Sequence, residues 1–179
     1  MLPQSFNVLG ALSEDHEVTL NEIRRSLLVR GPEPLTLSWD RRWRATLVDN
    51  LEILVRELWA AGLSTIYIDG SFVQDKDHPG DIDGCFECDF NDWNSGSLEK
   101  RLNQLAAKKV WGWGADATRL VLGTSRLLMW ATYRVELHPY FPEFPTGIIM
   151  DDEFVPFPDA YHRFRGRPET KGLLKLRKD

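Results

Sequence analysis

Two short stretches carry side chains suited to phosphate and metal chemistry: Gly70-Ser71 and, ten positions further on, Asp81-Ile82-Asp83. A glycine lets a phosphate approach the backbone closely, and Ser71 offers both a hydroxyl and an amide to its oxygens. Two carboxylates two residues apart on a strand point to the same face, where their repulsion is tolerable only with a cation between them. Hard oxygen donors of this kind suit Mg²⁺, which also coordinates the phosphates of a nucleotide. A third carboxylate from another strand would complete such a site. Glu136 is the candidate, because within Tyr133-Arg134-Val135-Glu136-Leu137 it alternates as the polar residue of an otherwise apolar strand.

Strands must stand behind these residues. Ile66-Tyr67-Ile68 reads as a short buried strand ending at Asp69-Gly70-Ser71. Residues 81–90 alternate: Ile82, Gly84, Phe86, Cys88 and Phe90 point one way, and Asp81, Asp83, Cys85, Glu87 and Asp89 the other. One face then packs on a core and the other carries four carboxylates. Ahead of them Leu47, Leu51, Leu54, Val55 and Leu58 mark one face of a helix that Gly62 can stop. A shorter helix is expected over residues 19–29 behind Thr19, broken by Gly31-Pro32-Glu33-Pro34. Downstream, Ser97 can cap a helix bearing Leu98, Leu102 and Leu105, which Trp111-Gly112-Trp113-Gly114 interrupts. Residues 119–122 and 127–137 read as two strands around Gly123-Thr124-Ser125, with Pro139, Pro142 and Pro145 closing the second, although apolar runs of this kind are also compatible with helix. The order of elements predicts an α+β (α/β) domain, a mixed β-sheet flanked by helices. It divides into an N-terminal arm (1–41), the main domain (42–160) and a basic C-terminal tail (161–179).

Composition narrows the function classes. The chain has 179 residues, 42% of them hydrophobic, with 22 Lys+Arg against 27 Asp+Glu and a formal charge of −5, as expected of one soluble globular domain. No run approaches the roughly 20 apolar residues of a membrane helix, and Met1-Leu2-Pro3-Gln4-Ser5 does not read as a signal peptide, so a cytoplasmic location is expected. The acidic balance hides an opposed end: from residue 161 onward there are seven basic residues and two acidic ones. That end reads either as a solvated tail or as a strip returning over a phosphate-bearing ligand. Cys85 and Cys88, on opposite strand faces, read as buried thiols rather than zinc ligands. His138 shares the parity of Glu136 and can approach the same site, although a hydrogen-bonded structural histidine is the commoner role. The seven tryptophans are explained as packing residues, except that Trp111 and Trp113, flanked by glycines, could stack on a base. No Ser-His-Asp arrangement and no GxxxxGK[ST] loop is present.

In its ordered motifs the chain resembles the polymerase-beta-type nucleotidyltransferases. Their signature is an apolar strand ending in Gly-Ser, then Asp-x-Asp on a second strand and a third acid on a later one. It is most similar to small stand-alone bacterial members, through Asp69-Gly70-Ser71-Phe72-Val73, Pro79-Gly80-Asp81-Ile82-Asp83, Glu136-Leu137-His138-Pro139-Tyr140-Phe141-Pro142, and Arg167-Pro168 to Lys171-Gly172. The resemblance implies a nucleotidyltransferase fold. Asp81, Asp83 and Glu136 would hold up to two Mg²⁺ ions, and Gly70 and Ser71 would grip the triphosphate. The third acid is Glu where the family usually has Asp, and the arginine often found after Gly-Ser is missing; Lys76 or a residue of the basic tail would replace it. The implied reaction transfers a nucleoside monophosphate from a triphosphate to a hydroxyl on a partner protein or a tRNA, within a toxin–antitoxin or defence system. The alternatives are a catalytically degenerate module that binds a nucleotide or partner and, less favoured, a metal-dependent nuclease, whose usual lysine after the second acid is replaced by Leu137-His138.

Overall fold

The computed structural model describes residues 2–33, 38–144, 146–150, 152–164 and 167–178. In chain order the elements are β1 (His16–Val18), α1 (Leu20–Arg25), α2 (Leu27–Arg30), α3 (Arg41–Ala60), β2 (Ile66–Asp69), β3 (Ile82–Glu87), α4 (Phe90–Asn94), α5 (Ser97–Leu105), β4 (Thr118–Val121), β5 (Thr124–Leu127), α6 (Leu128–Tyr133), β6 (Val135–Tyr140), β7 (Gly147–Met150), β8 (Glu153–Pro156), α7 (Asp159–His162) and β9 (Leu174–Leu176). The fold is mixed α/β.

The strongest periodicity in the sequence gives the longest helix. Asp40 starts α3 by accepting the backbone N–H of Trp43, and Leu47, Val48, Leu51, Leu54, Val55 and Leu58 are all buried along one side. Gly62, at φ +87°, follows its end as expected. Other boundaries differ from the sequence expectation. The helix behind Thr19 is two helices: Thr19 and Glu22 form a reciprocal capping box on α1, but Ser26 turns extended (ψ 174°) and caps α2. Ser97 is the first residue of α5 rather than its cap, a place taken by Gly96 in the left-handed region. The stretch 127–137 is not one strand. Its apolar run winds into α6, which buries Met129, Trp130 and Tyr133, then reverses at Arg134 (φ +57°) and continues as β6. Pro139 lies inside β6 rather than closing it, which a strand at the edge of a sheet tolerates. Of the prolines read as closing that strand, Pro145 lies outside the described residues.

Five strands form one sheet in the order β1-β9-β2-β3-β6. β1 runs parallel to β9 and β3 to β6, while β9–β2 and β2–β3 are antiparallel. β1 comes from the stretch read as an arm and β9 from the stretch read as a basic tail, so both ends of the chain build the sheet. One face of it is apolar: Ile66, Ile68, Ile82, Phe86, Val135, Leu137, Leu174 and Leu176 join the buried α3 leucines in a single cluster. The other face carries Tyr67, Asp69, Asp83, Cys85, Glu136 and His138, and it positions the site. Two antiparallel hairpins, β4–β5 and β7–β8, stand outside the sheet. Among the described residues no helix is long and apolar enough to cross a membrane.

Candidate active site

Strand register gathers the carboxylates. The antiparallel β2–β3 ladder sets Asp69 opposite Asp83, and the parallel β3–β6 ladder sets Asp83 opposite Glu136. Directly opposed residues project to the same side with their Cβ atoms roughly 5 Å apart, so three acids form one row across three strands. Asp81, two residues before Asp83, keeps its parity, and its Oδ2 accepts the indole N–H of Trp130 at 2.7 Å. The alternation does not continue as far as expected: β3 ends at Glu87, and Asp89 leaves the sheet to cap α4 by accepting the N–H of Asp92.

Burial pushes the Asp83 carboxyl up to about 7, and the charges of Asp81, Asp69 and Glu136 push the same way. Asp69 is also pushed up by burial, against the pull of Lys171, whose Nζ lies 2.5 and 2.6 Å from its two oxygens in a buried pair. The basic end of the chain is therefore partly internal: Lys171 is 6% exposed and β9 follows directly. Arg165, counted with that basic end, lies outside the described residues.

Gly70 turns the chain beside this row at φ +80°, ψ −166°, a conformation only glycine adopts readily. A Cβ placed there would lie 2.2 Å from Asp83 Oδ2, so any side chain at position 70 displaces the central carboxylate. Gly70→Ala should cost about 1–3 kcal/mol in urea unfolding; unaltered stability would contradict the strained turn. Ser71 opens a single 3₁₀ turn, Ser71–Val73.

A cavity of about 690 Å³ lies over the row, and Gly70, Ser71, Asp81, Asp83 and Glu136 all line it. Lys76 does not; it is exposed, and it contributes to the loop through its carbonyl, which accepts from Arg44. Among the described residues the cationic groups on the cavity are Arg126 of β5, Arg163 and Lys171. Its far wall comes from the β7–β8 hairpin and α7. There Phe157 stacks on Tyr161 (centroids 5.0 Å, 18°) and faces His138 (6.4 Å, 20°), and the Tyr161 hydroxyl donates to the Gly84 carbonyl in the middle of β3. His138 Nε2 lies 3.1 Å from Glu136 Oε1, so the histidine does reach the acid beside it.

Sequence reasoning missed Asp69, Arg126, Trp130, Tyr161 and Lys171. The parity of Asp69 depends on β2 pairing with β3, and Lys171, although it falls in a stretch that carries the resemblance, has no local pattern that ties it to Asp69. Trp111 and Trp113 do not offer a base a stacking surface in the cavity. Both pack on Phe86, on the apolar side of the sheet, and their indoles donate to Glu57 and to the Leu137 carbonyl. Cys85 and Cys88 are buried free thiols, with Cys88 pushed up to about 12 by burial.

Among the described residues no three acidic, histidine or cysteine side chains already surround one ion position. The donor set nevertheless fits a hard divalent cation: every candidate ligand is a carboxylate, and burial, with the charges of Asp81, Asp69 and Glu136 added to it, holds the proton on Asp83 up to about 7.

No curated protein and no solved structure matches the chain. Residues 3–177 match the sequence profile of the family of unknown function DUF6932; the match takes in every element from β1 to β9, and the chain belongs to that family.

Proposed function

We propose that the chain is a cytoplasmic, Mg²⁺-dependent nucleotidyltransferase that moves a nucleoside monophosphate from a nucleoside triphosphate to an acceptor hydroxyl on a protein or an RNA. The observation that carries this reading is the register that sets Asp83 between Asp69 and Glu136, with Gly70 against it, at the floor of the 690 Å³ cavity. Asp81, Asp83 and Glu136 would hold the metal; when bound, Mg²⁺ offsets charge on the triphosphate and lowers the pKa of a coordinated hydroxyl.

The chain's own groups do the rest. The Gly70 backbone and Ser71 accept the close approach of phosphate oxygens. Arg126, and Arg163 from the basic end of the chain, supply the cationic contacts on the cavity, where Lys76 does not reach. Lys171 neutralises Asp69, so the row presents less net repulsion to a phosphate. The hairpin and α7, tied down by Tyr161, restrict water on the far side. A toxin–antitoxin or defence system, as the motif resemblance suggests, would supply the acceptor as a partner protein or a tRNA end.

The test is incubation with labelled triphosphates, Mg²⁺ and candidate acceptor proteins and RNAs. Wild type should transfer label and Asp83→Asn should fall to background; equal transfer by both would overturn the reading. A second reading, nucleotide binding without transfer, draws support from the Glu136–His138 contact, which engages the third acid. It predicts Mg²⁺-ATP binding in a calorimeter with no product from any acceptor.

A further inference from the structure

Trp130 is 7% exposed, and nothing in the apolar packing of α6 requires its indole N–H to meet a carboxylate, yet that N–H lies 2.7 Å from Asp81 Oδ2. Two guanidinium groups hold the same ring: Cζ of Arg134 lies 4.1 Å from the ring centroid and Cζ of Arg126 4.7 Å. A cation over an indole face draws electron density from the ring and makes the N–H a stronger donor. Arg126 also lines the cavity, so the indole links a cation on the cavity to the first acid of the Asp-x-Asp pair.

We infer that Trp130 is a positioning residue: it occupies one oxygen of Asp81, so that this carboxylate offers its other oxygen to a divalent cation shared with Asp83. The inference rests on the metal-dependent reading of the site. Without the indole, Asp81 can swing toward solvent, away from the charge of Asp83, and the cation loses a prepared ligand. Partners of metal-ligating groups of this kind are commonly worth 10- to 100-fold in metal affinity.

The test measures Mn²⁺ binding to the full chain by electron paramagnetic resonance, with Asp83→Asn marking the site. Trp130→Phe keeps a ring under the two arginines and removes only the donor. It should weaken Mn²⁺ binding about 10-fold or more, while affinity for a non-hydrolysable triphosphate returns to the wild-type value at saturating Mn²⁺, which a general loss of structure would not allow. Arg134→Asn tolerates the left-handed backbone at 134 and should weaken Mn²⁺ binding about 2- to 5-fold; it carries the test alone if Trp130→Phe does not fold. Unchanged Mn²⁺ affinity in the folded variants overturns the role of Trp130 and leaves the metal reading standing. Failure of wild type to bind Mn²⁺, or binding indifferent to Asp83→Asn, overturns the metal reading and this inference with it.

Discussion

Asp83→Asn is expected to make the metal-free protein more stable at pH 8 while removing its response to Mg²⁺. The sign follows from the carboxyl, which sits at about 7 in the folded chain against an ordinary value of 3.8. Between those values the folded state keeps a proton that the unfolded state has released, so stability falls as pH rises from about 4 to about 7 and is flat above. At 1.36 kcal/mol per unit the whole loss is about 4 kcal/mol. Asparagine does not ionise, so the variant lacks this decline and should exceed wild type at pH 8 by up to that amount. Mg²⁺ should narrow the gap: a ligand at 100 times its dissociation constant stabilises wild type by about 2.7 kcal/mol, and the variant should not respond. Urea unfolding from pH 4 to 8, with and without Mg²⁺, measures both effects. A wild type whose stability does not fall across that range would contradict the burial of Asp83 among like charges.

Arg44→Met should be the most damaging substitution outside the acidic row. The Arg44 side chain has no exposed surface, and its guanidinium donates to four carbonyls, of Leu28, Phe72, Gln74 and Lys76. Burial lowers its pKa to about 10, opposed by Asp75 and Asp77, so it remains protonated at neutral pH. Trp39 and Phe72 lie against it, with its Cζ 4.0 and 5.2 Å from their ring centroids. One side chain of α3 thereby fastens α2 to the segment that follows Ser71, which fixes the turn beside Asp83. Methionine fills much of the volume and satisfies none of the carbonyls; the expected cost is about 3–5 kcal/mol in urea unfolding. Arg44→Lys keeps the charge but not the planar fork, and should fall between wild type and methionine. A loss below about 1 kcal/mol for Arg44→Met would show that water or a rearranged loop replaces the guanidinium.

The parts of this fold that were legible in the sequence are those with local causes. The spacing of Leu47 to Leu58 and the stop at Gly62 gave α3, and the Ile-x-Ile run before Asp69-Gly70-Ser71 gave β2. Parity alone put Asp81 and Asp83 on one side and predicted the polarity of Glu136. What was not legible depends on partners distant in the chain. Leu128 to Tyr133 has the apolar content of a strand, yet it is a helix that ends at Arg134 in a left-handed conformation, from which β6 runs beside β3. The charge of the chain's end allowed a solvated tail or a strip returning over a ligand, but not a strand: Leu174 and Leu176 pair it into the sheet and Lys171 finds Asp69, 102 residues away. No local pattern reveals that Arg126 lies on the cavity, since it reaches it from a hairpin.

The central claim is that Asp81, Asp83 and Glu136 hold a divalent cation beside the phosphates of a nucleotide. A crystal grown with Mn²⁺ and a non-hydrolysable nucleoside triphosphate tests it most directly, through the anomalous signal of the metal. The account predicts a peak within coordination distance of Asp83 and at least one of Asp81 and Glu136, with the triphosphate against Gly70 and Ser71. A nucleotide bound elsewhere, or one bound in this cavity with no metal touching Asp83, would contradict it.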